Sequence, residues 1–223
     1  MPVTGLEGFE LSVFINLFFS SIKDMTPNII LDLDETCISS IDLDEWAALP
    51  EGVKRKMAEF TVHDMEGYYF IFERPGLQEF LDFLFDNFNV SIWTAGSKAY
   101  ALHIINTIIA PVSSGRNLDW IFFSYHCGMS KTLRGDIKVL DLLWDEFELP
   151  GYSEHNTLIV DDNDAVFSAN PDTCVHIKAF EFPRLGSETD HVLYDLITPL
   201  KRLKERLTRG DPMSISLLNT HAR

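Results

Sequence analysis

The sequence predicts an α/β fold in which helices pack on both faces of a central, mostly parallel sheet, and three observations support this. Short apolar runs alternate along the chain with segments of helical period, as in repeated β-α-β units. The apolar runs are continuous and rich in branched residues, which is typical of strands buried on both faces. With 223 residues, 46% of them hydrophobic, the chain can bury roughly 70% of its unfolded surface without a disulfide or structural metal.

The strands are predicted from these apolar runs. The first run is NIILDL at Asn28–Leu33, which follows Pro27 and ends in acidic residues, as expected of a buried strand that leads into a loop. Four later runs have the same character: Val90–Trp93, Trp120–Phe123, Thr157–Val160 and Cys174–Ile177.

Helices are predicted between the strands. Pro75 suits a first helical turn, and the apolar residues behind it recur on one helical face: Leu77, Phe80, Leu81, Leu84 and Phe88. Three further segments have helical period: Ser97–Ile109, Ile137–Phe147 and His191–Leu207. The basic stretch Lys201–Arg209 is interpreted as part of an amphipathic closing helix rather than as a membrane or nucleic-acid element.

The segment 38–71 interrupts the alternation, because it is polar, mixed in charge and less periodic. We interpret it as a small insertion after the first strand that lies over the strand ends. Within it, the aromatic run Tyr68–Phe72 is predicted as a core-facing strand, with a substrate-binding patch as the alternative. The predicted organisation is an N-terminal apolar segment at 1–27, a main domain at 28–209 and a C-terminal tail at 210–223.

The N-terminal segment is most apolar between Phe9 and Phe19. It lacks the basic start and the small-residue cleavage site of a signal peptide, and it is too short to span a bilayer. We interpret it as a buried or partner-facing helix, and it is the candidate contact for a homodimer.

The overall charge of the chain limits the classes of partner that it is expected to bind. Eighteen Lys plus Arg against 34 Asp plus Glu leave a net charge of −16, which disfavours nucleic-acid binding through a basic face. The cysteines Cys37, Cys127 and Cys174 are widely spaced, and we interpret them as reduced core thiols of an intracellular, cytoplasmic or nuclear protein. Neither nucleic acid nor a membrane is an expected partner.

Polar residues follow three of the predicted strands. Asp32 and Asp34 end the first, Thr94, Ala95 and Gly96 follow the second, and Asp161 and Asp162 follow Thr157–Val160. In a parallel sheet, ligands bind beyond the carboxyl ends of the strands. The hydroxyl and backbone amides after the second strand suit an anion, so the sequence predicts a polar site at this edge.

The acidic residues of this site predict a cation. Four converging carboxylates repel one another strongly in a partly dry site, and oxygen ligands favour a hard ion such as Mg²⁺. Lys138 is a further candidate, predicted to open a helix, where the dipole disfavours a cation and a nearby anion would compensate. Lys98 and Lys131 are the competing lysines.

These motifs resemble the haloacid dehalogenase superfamily, which has a Rossmann-like fold. Within it, the chain is similar to the phosphatases that act on the C-terminal domain of RNA polymerase II, including the nuclear LIM-interactor-interacting-factor-like proteins. The resemblance covers about residues 28–182 and depends on the stretches LDLDETCISS, ERPGLQEFLDFLFDNFNVSIWTAGSKAYA and NTLIVDDN. Family members show an RPG helix and a W-T-A-S motif with a nearby tyrosine, matched here by Arg74–Gly76, Trp93–Ser97 and Tyr100, with Gly96 as an extra residue.

The resemblance implies roles for the site residues. The nucleophile falls on Asp32, the general acid and base on Asp34, the phosphate-binding hydroxyl on Thr94 and the phosphate-neutralising lysine on Lys138. Ala95 and Gly96 would bind the phosphate through their backbone. The Mg²⁺ ligands would be Asp32, the carbonyl of Asp34, and Asp162, with support from Asp161.

The function expected from the resemblance is a Mg²⁺-dependent phosphomonoesterase that forms an aspartyl-phosphate. A phosphoprotein or phosphopeptide is the expected substrate, with phosphoserine or phosphothreonine ahead of phosphotyrosine. The alternatives are a small-metabolite phosphatase, a phosphomutase, a nucleic-acid 3′-phosphatase or a non-catalytic phosphopeptide-binding scaffold. A response-regulator receiver is disfavoured because its acid pair precedes its single phosphorylated Asp. Because the chain is acidic overall, an anionic substrate approaches the site against repulsion, and the charge of the metal must offset it. We therefore expect chelation of the metal to abolish activity.

Overall fold

A computed structural model describes residues 26–215 and residue 218. Its strands are β1 (Asn28–Leu31), β2 (Ile38–Asp42), β3 (Val62–Met65), β4 (Tyr69–Glu73), β5 (Asn89–Trp93), β6 (Ile121–Phe122), β7 (Thr157–Asp161) and β8 (Cys174–His176). Five of them form a sheet in the order β6-β5-β1-β7-β8, and every neighbouring pair in it is parallel. The predicted fold class is confirmed.

The helices lie between these strands along the chain, except the last helix, which follows β8. They are α1 (Leu43–Ala48), α2 (Glu51–Lys54), α3 (Leu77–Asn87), α4 (Lys98–Ile104), α5 (Ser124–Arg134), α6 (Leu142–Asp145), α7 (Asp164–Ala169) and α8 (Val192–Thr208). Helix α4 continues into a π-helical turn at Ile105–Ile109, so the predicted helix over Ser97–Ile109 is confirmed, with Ser97 as its N-cap.

The central strand β1 is buried on both faces. Ile29 and Leu31 belong to one hydrophobic cluster, which includes the apolar faces of α3 and α8. Ile30 belongs to a second cluster, which includes Trp93 and Phe122. Because successive side chains of a strand point to opposite faces, the continuous run of apolar residues supplies both cores.

The predicted helix over Ile137–Phe147 is largely wrong. Only Leu142–Asp145 is α-helical, and Lys138 adopts a left-handed conformation with φ of 52°. The side chain of Asn170 replaces helical hydrogen bonds here: it accepts from the Leu140 N–H at 2.9 Å and donates to the Lys138 carbonyl at 3.0 Å. Lys138 therefore lies in a loop, and the dipole argument for it does not apply.

The segment predicted as an insertion forms a second sheet. It is antiparallel with the order β2-β4-β3, and its last strand ends at Glu73. Phe72 of β4 is buried and stacks on Phe182 of the loop after β8, with 3.7 Å between the ring centroids. The prediction of a core-facing strand is therefore confirmed only in part: Tyr69–Phe72 lie in a strand and Phe72 faces the core, but Tyr68 precedes the strand, and Tyr68 and Tyr69 are exposed. The stacking of Phe72 on Phe182 holds the second sheet against the loop after β8.

The ends of the chain are described only in part. The apolar segment Phe9–Phe19 lies outside the described residues. Near the C-terminus, Ile215 and Leu218 are buried against the main core. None of the described helices has the length and apolar character that crossing a membrane requires.

The three cysteines are buried and none is in a disulfide, as predicted.

Candidate active site

Asp32 and Asp34 are the two acids of a D-x-D-x-T motif that ends at Thr36. They lie in the middle of the sheet, just past the end of β1. The backbone N–H of Asp32 still donates to the Val160 carbonyl at 3.1 Å, so β7 holds it in line with the strand. Asp34 lies in the following loop and forms an isolated bridge with Ile38. The central position of β1 places both residues between the ends of β5 and β7.

Asp161 and Asp162 lie at the end of β7, as predicted. Asp161 is fully buried, and its Oδ1 accepts a hydrogen bond from the Asn163 N–H at 2.9 Å. Asp162 accepts from the Thr36 hydroxyl at 2.9 Å. The threonine of the D-x-D-x-T motif therefore links the loop after β1 to the acid pair of β7.

Lys138 joins the acids of β1 and β7. Its Nζ lies 2.6 Å from Asp32 Oδ1 and 2.7 Å from Asp161 Oδ2, and the residue is only 2% exposed. The competing lysines Lys98 and Lys131 are exposed, and Lys98 lies over the ring of Phe123. Of the three candidates, the structure brings Lys138 to the acids.

The predicted anion-binding loop follows β5. Thr94 is fully buried, and its Oγ1 accepts a hydrogen bond from the Gly96 N–H at 2.9 Å. The Gly96 amide, one of the predicted phosphate donors, is thus already hydrogen-bonded within the loop. A Cβ on Gly96 would lie 2.7 Å from the ring of Tyr100. The additional glycine is explained by this close approach.

Tyr100 was singled out in the sequence only as part of a motif. In the structure its hydroxyl donates to Asp34 Oδ1 and lies 2.5 Å from the hydroxyl of Ser40 on β2. The local sequence around Ser40 does not predict this contact, because Ser40 and Tyr100 are brought together only when α4 and the insertion come into contact in the folded protein. The general acid predicted at Asp34 is therefore connected to the insertion.

Arg74 of the RPG motif anchors the loop that follows β1. Its side chain is fully buried and pairs with Asp190 through two hydrogen bonds of 2.9 and 3.0 Å. The same guanidinium donates to the carbonyls of Thr36 at 3.0 Å and Lys178 at 2.9 Å. The buried guanidinium thus holds the backbone that follows β1 close to the backbone that follows β8.

The charges of the site are unbalanced. Burial raises the pKa of Asp32 well above its ordinary value, although the positive charge of Lys138 acts to lower it. The negative charge of Asp161 raises this pKa further. Burial also raises the pKa values of Asp34 and Asp162. Burial lowers the pKa of Lys138, but the charges of Asp32 and Asp161 outweigh it and raise that pKa. The ammonium therefore stays charged, but it does not compensate all of the carboxylates.

The donor set fits a hard cation. Asp32, Asp161 and Asp162 each offer a carboxylate oxygen, and these oxygens lie within 4.8 Å of one another. In an octahedral Mg²⁺ shell, neighbouring oxygens lie about 3 Å apart and opposite oxygens about 4 Å apart, so one bound ion would draw these three oxygens closer together. Both oxygens of Asp161 are hydrogen-bonded, one to Asn163 and one to Lys138, which favours a supporting position for this residue.

Cys37 lies beside the acids, but it is fully buried. Burial raises the pKa of its thiol, which disfavours the reactive thiolate. The interpretation of Cys37 as a packed core residue is confirmed.

Comparison with known proteins identifies the family of the chain. A family model described as "NLI interacting factor-like phosphatase" matches residues 27–209. The CTD phosphatase-like protein 355R of Invertebrate iridescent virus 6 is 38% identical over 185 residues, which is 82% of this chain and 97% of the viral protein. The Ubiquitin-like domain-containing CTD phosphatase 1 of Xenopus laevis is 25% identical over 135 residues, 59% of this chain and 42% of that protein.

Among solved structures, the fold is similar to that of Fcp1, described as an essential RNA polymerase II CTD phosphatase. The TM-score is 0.50 at 21% identity, and the match covers 88% of this chain and 55% of Fcp1. Fission yeast Fcp1 bound to beryllium fluoride gives a TM-score of 0.51 at 20% identity and the same 88% coverage of this chain. This chain thus spans about half of the Fcp1 structures, and at this identity the likeness shows the fold alone.

The match over residues 27–209 and the viral relative that is covered almost completely lead to one conclusion: this chain belongs to the NLI interacting factor-like phosphatases of the haloacid dehalogenase superfamily and is a phosphatase.

Proposed function

We propose that this phosphatase hydrolyses phosphoserine and phosphothreonine in proteins through an aspartyl-phosphate on Asp32. The observation that carries the proposal is the contact of one buried ammonium, Lys138 Nζ, with both Asp32 at 2.6 Å and Asp161 at 2.7 Å. It holds the proposed nucleophile at the end of the central strand and supplies positive charge where a phosphate dianion would arrive.

The proposed roles follow from position and charge. Asp32 would attack phosphorus while the bond to the leaving oxygen breaks. Asp34, two residues later on the same loop, would give its proton to that oxygen and would then take a proton from the water that hydrolyses the acyl phosphate. Thr94 and the backbone that follows it would bind the phosphate oxygens after release of the Gly96 hydrogen bond.

Mg²⁺ is the proposed cofactor, and when bound it would supply positive charge that offsets the repulsion between the phosphate and the acids. Asp32 and Asp162, with the Asp34 carbonyl, would hold it. Asp161 would support the site through its hydrogen bonds to Lys138 and Asn163.

A protein substrate is supported by the relatives and by the surface next to the site. The viral relative is named CTD phosphatase-like. Beside Tyr100, the insertion presents Tyr69, which is 37% exposed, and its neighbour Tyr68, which is 68% exposed. Exposed aromatic side chains of this kind favour peptide contacts. We propose the phosphorylated polymerase tail as one candidate substrate and the nucleus or cytoplasm as the place of action.

The test is a panel of peptides with phosphoserine, phosphothreonine or phosphotyrosine, together with a sugar phosphate, assayed with Mg²⁺ or EDTA. We expect hydrolysis of the first two peptides with Mg²⁺ and none with EDTA. Asp32→Asn should lower turnover by about 10³-fold or more. Asp172→Asn is the matched control, because Asp172 is exposed and precedes β8, away from the site.

Near-normal turnover by Asp32→Asn, or full activity in EDTA, would contradict the mechanism. Preference for the sugar phosphate would favour the small-metabolite alternative.

A further inference from the structure

The hydroxyl of Tyr100 lies between the insertion and the acid of the loop after β1. On one side it donates to Asp34 Oδ1, and on the other it lies 2.5 Å from the Ser40 hydroxyl. The Tyr100 ring packs edge-on against Tyr69, with centroids 5.8 Å apart, and it lies so close to Gly96 that a Cβ there would be 2.7 Å from its Cδ1. Contacts with Tyr69 and Gly96 therefore restrict the ring, and the two hydrogen-bond partners orient its hydroxyl.

The chemistry of the three groups sets the direction of the hydrogen bonds. A carboxylate only accepts, and a tyrosine hydroxyl has one proton to give. When Tyr100 donates to Asp34 Oδ1, the proton between Ser40 and Tyr100 must come from Ser40. The two hydrogen bonds then run in one direction: the Ser40 hydroxyl donates to the Tyr100 hydroxyl, which donates to Oδ1 of Asp34.

We propose that Tyr100 is the positioning residue for Asp34: it occupies Oδ1, so that Oδ2 is the oxygen that carries the proton to the leaving group. Ser40 supports Tyr100 by fixing the orientation of its hydroxyl. The inference rests on the proposed function, in which Asp34 is the acid. As the bond between phosphorus and Asp32 forms, the electron pair of the breaking phosphorus–oxygen bond goes to the leaving oxygen, which takes the proton from Oδ2.

The role of Tyr100 should depend on the leaving group. A serine alkoxide is a poor leaving group and needs the proton, whereas p-nitrophenolate is a stable anion that leaves without it. Loss of the positioning bond should therefore slow the first step for a phosphoserine peptide and leave the same step for p-nitrophenyl phosphate nearly unchanged. A general structural defect would slow both.

The molecule provides a matched control. Tyr152 also lies between a serine and an aspartate: its hydroxyl is 2.7 Å from Ser91 Oγ and donates to Asp119 Oδ2 at 3.1 Å. This second group lies near the amino ends of the strands, because Tyr152 and Asp119 precede β7 and β6. Tyr152→Phe removes the same kind of hydroxyl away from the site.

The experiment measures the first turnover with enzyme in excess, so that hydrolysis of the intermediate does not limit the rate. For Tyr100→Phe we expect release of the serine peptide to slow at least 10-fold, a part of the roughly 10²–10⁴-fold that a general acid contributes. Release of p-nitrophenolate should change less than about 2-fold, and the KM of the peptide should stay within about 2-fold. Ser40→Ala should show the same contrast at about 3-fold, and Tyr152→Phe should show none.

Equal slowing of both substrates, no slowing of either, or a higher KM with unchanged turnover would overturn the inference. Asp34→Asn separates it from the proposed function. If Asp34→Asn shows the leaving-group contrast and Tyr100→Phe does not, Asp34 stays the acid and only the role of Tyr100 fails. If Asp34→Asn shows no contrast, the proposed acid fails and the role of Tyr100 fails with it.

Discussion

The amino and carboxyl edges of the five-stranded sheet bury polar side chains in opposite ways. At the amino edge, Asn28 donates to the Gly151 carbonyl at 2.8 Å and to Thr157 at 3.1 Å, and it accepts from Asn89 at 3.0 Å. These groups are neutral and satisfy one another. At the carboxyl edge, buried carboxylates share the single ammonium of Lys138. The polar groups of the amino edge therefore stabilise the fold, whereas the carboxyl edge retains carboxylates that Lys138 does not fully compensate, and there we propose that Mg²⁺ binds.

The largest expected effect comes from removing the shared ammonium. Lys138→Met leaves Asp32 and Asp161 buried without their cation, and we expect turnover to fall by about 10²–10³-fold. Loss of one partner from a buried ion pair also destabilises the fold by about 3–5 kcal/mol. Steady-state kinetics and urea unfolding measure the two effects. Lys131→Met is the control, because Lys131 is exposed. A Lys138→Met enzyme with more than a tenth of normal turnover would contradict the importance of this charge.

At the amino edge, the corresponding substitution should affect stability and spare activity. Asn28→Ala leaves several buried partners unsatisfied, so we expect the free energy of unfolding to fall by about 1–3 kcal/mol. Turnover per folded molecule should not change. Asn117→Ala removes an exposed amide that contacts only a nearby turn carbonyl, and it should change neither quantity. If Asn28→Ala lowered turnover of the folded enzyme, the separation of the two edges would be wrong.

The third prediction concerns the close approach of Gly96 to Tyr100. A Cβ at this position would meet Tyr100 Cδ1 at 2.7 Å, so the ring would have to shift, and its hydroxyl would lose its alignment with Asp34. We expect Gly96→Ala to lower turnover of a phosphoserine peptide by about 10-fold. Gly128→Ala is the control: it has nothing within 4 Å on helix α5 and should stabilise the protein by about 0.5–1 kcal/mol. Unchanged peptide turnover in Gly96→Ala would show that the ring tolerates the displacement.

The smallest expected effect is a pH dependence of stability at His126, which follows β6 at the carboxyl edge. Burial lowers the pKa of His126 below 6.5, and its Nδ1 accepts the Phe123 N–H at 3.1 Å. At His126 the folded state therefore binds fewer protons than the unfolded state, so the stability contributed by neutral His126 is present above about pH 6.5 and is lost as the pH falls. Urea midpoints of wild type and His126→Gln should differ slightly at pH 7.5 and converge at pH 5.

The carboxyl edge was predictable from the sequence because its residues follow recognisable strands. Asp32, Asp34, Thr94, Asp161 and Asp162 directly follow apolar runs, and a parallel sheet gathers those ends at one edge. Helices α3 and α8 were predicted because their apolar residues recur with helical period. Helix α5 was not, because its sequence SYHCGMSKTLR has few apolar residues and an internal glycine.

The contacts that complete the site depend on partners far away in the chain. The conformation at Lys138 depends on Asn170, 32 residues later, and Tyr100 meets Ser40 across 60 residues. The pattern of residues within one short segment does not predict contacts with residues so far away in the sequence. The apolar run at 137–147 therefore predicted a helix, although the Asn170 side chain holds much of it as a loop.

The strand order also has a consequence for protein synthesis. Strand β1 is made first of the five, but its partners come much later: Asn28 bonds to Asn89 across 61 residues and to Thr157 across 129. At about 5–20 residues per second, the apolar strand waits on the order of ten seconds for both neighbours. The nascent chain must keep this strand from aggregating during that time. Chains whose synthesis stops before β7 contain Asp32, Asp34 and Thr94 but lack Asp161, Asp162 and one of the two neighbours of β1.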